Sequence, residues 1–497
     1  MDISRRGFLA TSIAAAGFAP TDAEKQGGAT RAASEATTRG ALPFLSLTET
    51  AALLRSRRLS PVELTQAVLD RIDRIDGKVG AFITVTRDRA IAAARAAENE
   101  IAAGKYRGPL HGIPVGVKDT HYTKGIPTTA NTPVLLGFVP AFDATVVTRL
   151  TGAGAVLIGK TKLPEFSFGG ASVGGAFPDA NNPWDPSRTP GGSSSGSAAA
   201  LAAGLLIAAT GGDTSGSIRN PATFCGVVGM KPTYGRVSRR GIVAISWSLD
   251  HVGPMTRTVA DNAALLNVIA GHDPLDETSA EVSTPDFTRA LTRGVRGMRI
   301  GVPKPALFDG YHPDVMRAYE AALAIFTKLG ASIAEVEMPV TSSVIDDVQS
   351  IVRICEAASY HEPFLATKAE RYGRTPVRRD VEAGSLIPAV EYLRAQKVRA
   401  QFTAQMRALF GTFDAFMTPG MPAPAGERSN APQPFRRMFN VCGFPALVLP
   451  DGFSISPPGL PIGLQIAAGP FREETIYAAA AAYERETVWH TKRPALD

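Results

Sequence analysis

Cysteine is scarce, with only three in 497 residues: Cys225, Cys355 and Cys442, far apart and without a CxxC pair. An odd, dispersed set excludes a fully paired disulfide framework and offers no zinc-ligand spacing. Cys225 and Cys442 stand among apolar residues and glycines, the setting of buried free thiols. Long apolar runs are missing too: none reaches 18 residues, so no membrane-spanning helix is expected. Charge of either sign is not concentrated. Lys and Arg number 52 against 46 Asp and Glu, a net +6 with no basic run or basic helix, which argues against nucleic-acid binding. What remains is an ordinary globular composition, 44% apolar and 20% charged, long enough for two or three domains or for one large α/β domain. Glycine is plentiful, 48 residues, and much of it falls in one central stretch, as a loop-built site would require. No repeat and no linker appears, so residues 46–497 read as one domain.

The first residues read as an address. Arg5-Arg6 follows Ser4 and precedes Gly7-Phe8-Leu9, and a short apolar stretch from Ile13 to Ala19 ends at Pro20. These are the three regions of an export signal, too short to anchor, and they resemble the twin-arginine type. The expectation is a signal over 1–23, a flexible lead-in over 24–45, and a protein that folds in the cytoplasm and works in the periplasm. No membrane association is expected once the signal is removed.

In the body, Ser46–Glu49 and Ser60–Glu63 both fit the capping box, the second with Pro61 at the first helical position. Residues 81–86 read as a strand, an alanine-rich helix follows to about Ala103, and 110–119 reads as a strand that ends at Lys118. A helix from Asp143 to Leu150 and a buried strand over Ala155–Ile158 continue the alternation. Helices are expected at about 314–329, 391–409 and 474–486, with proline-rich connections such as 418–434 between them. Strands alternating with helices predict an α/β fold, a large mixed sheet with helices on both faces.

Three motifs compete for the chemistry. Gly154-Ala-Val-Leu-Ile-Gly159-Lys160-Thr161 fits the phosphate-loop spacing, but its middle residues are the strand itself and Pro164 stands where a helix should start. Gly192-Ser193-Ser194-Ser195-Gly196 fits the nucleophile elbow, yet the proline-rich 182–190 before it cannot be a central strand. None of His251, His272, His312 and His361 sits in a setting that would complete such a triad. The third reading takes 191–221 whole: a serine-glycine loop, an alanine-leucine helix and a second glycine-serine loop at the same end. Such loops offer the hydroxyls and N–H groups of acyl transfer, and equally the turns around a buried helix. The residues alone leave both open.

The region resembles the signature sequence of the amidase signature family. Gly191-Gly192-Ser193-Ser194, Asp213, Gly216-Ser217-Ile218-Arg219 and Pro221 stand at that family's spacing. His111–Asp119, Ser248–Asp250, Gly253–Met255, Asn440–Ala446 and Gly459–Gln465 extend the likeness over roughly 46–490. The resemblance implies Ser217 as nucleophile, Ser193 as bridging residue after a cis Gly192–Ser193 peptide, and Lys118 as base. It also implies an oxyanion hole from the N–H groups of Thr214, Ser215, Gly216 and Ser217. Gly192, Asp213 and Arg219 read as loop-positioning groups. The reaction would be hydrolysis of a carboxamide through a seryl acyl-enzyme, with no metal, nucleotide or other cofactor. Small aliphatic, aryl and peptide amides all fit, and neither substrate nor oligomeric state is legible; the pocket walls are expected from 130–180 and 300–440.

A lysine working near neutrality must fall about 2–3 units from its usual pKa, roughly 3–4 kcal/mol of disfavoured charge, and burial beside Ile113–Val117 can supply it. Asp119 does not spoil this, because in a strand it faces the other way. One position departs from the family pattern, Ser215, where Gly or Ala is usual, and it stands beside the oxyanion loop. Two rivals remain: the A-type component of a tRNA-dependent amidotransferase, which export opposes, and a non-catalytic binding protein on the same scaffold.

Overall fold

The computed structural model describes residues 40–169, 175–373, 375–426 and 435–496. The expected export signal, most of the lead-in and the stretch 427–434 lie outside these residues. The chain from Pro43 onward forms one compact unit.

Helices α1 (Leu47–Arg55) and α2 (Pro61–Val79) open it. Ser46 and Glu49 form the reciprocal capping box expected. The second box is only half made: Ser60 Oγ accepts from the N–H groups of Val62 and Glu63 and donates to Glu98, but among the described residues the Glu63 side chain does not return to the Ser60 N–H. Strand β1 (Phe82–Val85), helix α3 (Arg87–Ala102) and strand β2 (Pro114–Lys118) follow, β2 beginning four residues later than its sequence signal. After α4 (Thr145–Gly152) comes β3, which runs on through Val156–Thr161. The phosphate-loop match is therefore a strand, with Lys160 buried against Asp119 at 3.0 Å.

The central segment corrects the sequence reading. Helix α5 (Ser195–Ala202) is only eight residues long, and the chain returns as strand β4 (Ala208–Asp213) before the second loop. Helix α6 (Arg219–Cys225), β5 (Val228–Lys231), β6 (His251–Thr256) and α7 (Val259–Ile269) complete this half. The second half holds β7 (Arg299–Pro303), α8 (Pro313–Lys328), β8 (Ser332–Val336), α9 (Ser342–Lys368), α10 (Pro376–Leu386) and α11 (Ala389–Thr412). Strands β9 (Ala415–Pro419), β10 (Ala446–Phe453) and β11 (Pro461–Ala467) and helix α12 (Glu473–Glu486) end it.

All eleven strands join one mixed sheet in the order β1-β3-β2-β4-β6-β5-β10-β11-β9-β7-β8. Strands β2, β6 and β11 are buried at every residue, without in–out alternation, so helices must cover both faces. Edge strand β8 is largely exposed by contrast. Helix α5 is buried throughout, and its small side chains let it lie close on the sheet. Its Gly196 has no room at all: a Cβ there would stand 2.3 Å from the Ala81 carbonyl oxygen and 2.4 Å from the Lys162 nitrogen.

Alanine for glycine inside a helix ordinarily stabilises by up to about 1 kcal/mol. Here Gly196→Ala is expected to destabilise by about 1–3 kcal/mol through overpacking, read as a lowered denaturation midpoint. An unchanged or raised midpoint would show that α5 lies farther from the Ala81 and Lys162 backbone than described.

Candidate active site

Strand β2 delivers Lys118 into the interior, where the side chain is 1% exposed. Alternation turns its neighbour Asp119 to the opposite face, held by Lys160, the Thr129 N–H at 2.9 Å and the Thr129 hydroxyl at 2.6 Å. Lys118 Nζ lies 2.7 Å from Ser193 Oγ. Burial pushes the lysine pKa down from 10.5 to about 7, against the pull of Asp250 and Asp213.

Ser193 follows a cis Gly192–Ser193 peptide, as the resemblance implied. The Gly192 N–H is tied to Asn220 Oδ1 at 2.8 Å, and the Ser194 N–H donates to the Ser217 carbonyl at 3.0 Å. Ser194 also donates to the Gly212 carbonyl at 3.2 Å and accepts from the Gly212 N–H at 3.1 Å. Because α5 runs out and β4 runs back, both serine loops meet at one end. Gly211 permits that meeting: a Cβ there would stand 2.7 Å from Ser194 Oγ and 2.8 Å from Ile218 Cγ1.

The second loop is wound around one carboxylate. Asp213 accepts from the Gly216 N–H at 2.7 Å, the Ile218 N–H at 3.1 Å and Asn440 Nδ2 at 2.8 Å, and pairs with Arg219 at 3.1 Å. Burial alone would raise its pKa, but the Arg219 guanidinium and these donors hold it well below the usual carboxylate range. Arg219 reaches further, donating to Gln465 Oε1 and Asn440 Oδ1 at 2.7 Å each. Asp213 and Arg219 are thus bonded to each other and, through Asp213, to two N–H groups of the loop. Asn440 and Gln465 complete that lattice; they stand inside family-like segments, but nothing in the sequence gave them a role.

Ser217 is half-buried beyond Gly216, whose φ of 102° only glycine adopts readily. Gly216 differs from expectation: its N–H is committed to Asp213, so of the four proposed oxyanion donors it is not free. Among the described residues the N–H groups of Thr214, Ser215 and Ser217 make no hydrogen bond. Ser215, the departure from the family pattern, is gripped through its hydroxyl by Gln349 of α9. Asp250 and His251, at the start of β6, close the other side. Asp250 accepts from the Thr214 hydroxyl at 2.6 Å, and His251 Nδ1 donates to the Leu249 carbonyl at 2.7 Å. A cavity of about 470 Å³ reaches Lys118, Gly212 and Thr214, with Tyr360, Ile242 and Trp247 on its walls. Among the described residues no cluster of three or more His, Cys, Asp or Glu could hold a metal.

An eleven-stranded mixed sheet with helices, and a buried lysine at the end of β2 lying 2.7 Å from a serine, is the frame of an α/β protein of the amidase class. The chain belongs to the amidase family, whose model matches residues 63–477. It is similar to the A-type component of the glutamyl-tRNA(Gln) amidotransferase of Chloroflexus aurantiacus, 42% identical over 487 residues, covering 92% of this chain and 99% of that one. Among solved structures it is similar to the native peptide amidase of Stenotrophomonas maltophilia, with TM-score 0.81 and 32% identity over 91% of this chain and 98% of the other. A bacterial aryl acylamidase of the amidase signature family gives TM-score 0.83 at 26% identity, over 90% and 97%.

The depressed lysine pKa has a sign that can be tested in stability. The unfolded chain binds the Lys118 proton up to about pH 10.5 while the folded chain releases it near 7, so folding is penalised below 10.5 and most fully at or below 7. Lys118→Met should therefore raise stability by a few kcal/mol at pH 7, a gain that shrinks toward pH 10.5 in thermal melts. A variant less stable than wild type at pH 7 would contradict a desolvated lysine.

Proposed function

We propose that this enzyme hydrolyses a carboxamide through an acyl-enzyme on Ser217. Neutral Lys118 takes the proton of Ser193, Ser193 takes that of Ser217, and Ser217 Oγ adds to the amide carbon. The N–H groups of Thr214, Ser215 and Ser217 receive the oxyanion. The proton returns through Ser193 to the leaving nitrogen, ammonia or an amine departs, and water releases the carboxylic acid by the same relay. The observation that carries this reading is the 2.7 Å approach of Lys118 Nζ to Ser193 Oγ, with the lysine pKa at about 7. Likeness to a peptide amidase and an aryl acylamidase supports an amide substrate with an organic group on either side. Arg5-Arg6 and the segment behind them support export to the periplasm.

A second reading takes its support from the 42% identity to the amidotransferase component: an ammonia-releasing member of a protein complex. The purified chain alone separates the two. Steady amide hydrolysis without partners favours the amidase, and activity appearing only with added protein partners favours the member of a complex.

The assignment of residues is tested by intact-mass labelling with a fluorophosphonate. One adduct is expected on wild type and none on Ser217→Ala; an adduct that survives in Ser217→Ala would move the nucleophile elsewhere. The labelling rate should rise about tenfold per pH unit and level off near pH 7, where Lys118 loses its proton. Asp250→Asn removes a negative neighbour that raises the lysine pKa, so that midpoint should move to lower pH. A midpoint unmoved or moved upward would show that the titrating group is not Lys118.

A further inference from the structure

Gln349 lies on α9, a helix of the outer layer, and its side chain is completely buried. Its Nε2 donates to the Ser215 hydroxyl and, at 3.4 Å, to the Thr214 carbonyl. Its Oε1 is buried with no hydrogen-bond partner among the described residues. A glutamine kept half-satisfied in the interior costs stability that leucine would not, so packing alone is a poor account of it.

Peptide geometry gives a better one. In a trans peptide the carbonyl and the following N–H point in opposite directions, so fixing one aims the other. The free N–H groups of Thr214, Ser215 and Ser217 each belong to a peptide whose carbonyl is tied. The Asp213 carbonyl accepts from Asn440 Nδ2 at 2.9 Å and takes the longer arm, 3.2 Å, of the His251 Nδ1–H that it shares with the Leu249 carbonyl. The Gly216 carbonyl accepts from the Asn220 N–H at 2.8 Å. Between them, the Thr214 carbonyl has, among the described residues, Gln349 alone. The Ser215 hydroxyl gives Gln349 a second hold on the same turn, one that glycine or alanine at that position could not offer. Arg436 confines the loop further, its Cγ only 2.0 Å from where a Cβ on Gly216 would stand.

We propose that Gln349 is a positioning residue for amide hydrolysis: through Ser215 and the Thr214 carbonyl it aims the Ser215 N–H at the oxyanion. The role of Ser215 is thus to serve as the handle of the loop. This rests on the reading of Ser217 as nucleophile. It also ties the outer helices to the reaction, since α9 carries Tyr360 on the cavity wall as well as Gln349.

The test uses the full chain and a fluorophosphonate, whose phosphoryl oxygen stands in for the oxyanion, with the maximal labelling rate and the half-saturating concentration measured separately. Misaiming one donor, a milder change than removing it, should slow maximal labelling about tenfold in Gln349→Leu and in Ser215→Ala. Half-saturation should stay within about twofold, since the ground-state complex barely uses that donor. The double variant should be no slower than either single one, because both break one link. Thermal stability of Gln349→Leu should equal or exceed wild type, which a merely structural glutamine would not allow. Unchanged maximal labelling, losses that multiply to about a hundredfold in the double variant, or a melting temperature that falls with the rate would each overturn the proposal. An unlabelled wild type would overturn the assignment of Ser217 first, and this inference with it.

Discussion

Everything at this site depends on keeping water away from one amine. Lys118 ends a strand buried at every residue, between β3 and β4 and beneath the fully buried α5, so its ammonium form has little solvation. Two acids lie close enough to oppose that effect, Asp250 and Asp213. The site needs Asp213 where it is, because that carboxylate winds the nucleophile loop. Its charge is met locally by Arg219, which leaves less of it to hold a proton on the lysine. Burial therefore prevails, and the amine next to Ser193 is poised near neutrality.

The loop itself is held from inside and outside. Inside, Asp213 gathers two backbone N–H groups and Asn440, while Arg219 reaches on to Gln465 of β11. Outside, α9 grips Ser215 through Gln349. The three N–H groups left over are therefore a by-product of where the carbonyls are tied.

Much of this was legible beforehand, and the reasons differ by element. Lys118 and Asp119 could be placed on opposite faces because alternation in a strand is fixed by geometry. Ser193, Ser217, Asp213 and Arg219 could be singled out because a long spaced motif leaves little freedom. Strand β4 was hidden: Ala208–Asp213 reads as the end of the alanine-leucine helix running into a glycine loop, yet β2 and β6 supply its ladder and Gly211 admits Ser194 and Ile218. Helix α9 was hidden too, since it contains Pro363 and lacks a side-chain cap at Thr341; it is held by packing against α10 and α11. With α9 unseen, Gln349 gave no signal at all. The second capping box is only half made: Ser60 Oγ accepts from the N–H groups of Val62 and Glu63, while among the described residues the Glu63 carboxylate does not return to the Ser60 N–H.

A lysine base must be neutral when it meets Ser193. Carbon NMR of protein labelled at lysine Cε reads that charge directly as a function of pH. Lys231, also buried, is pushed down to about 7, so two resonances are expected to titrate far below the rest, and Lys118→Met identifies which is which. The resonance lost in Lys118→Met is expected to titrate near pH 7. If that resonance instead titrates near pH 10 with the surface lysines, Lys118 is charged under working conditions and cannot be the base.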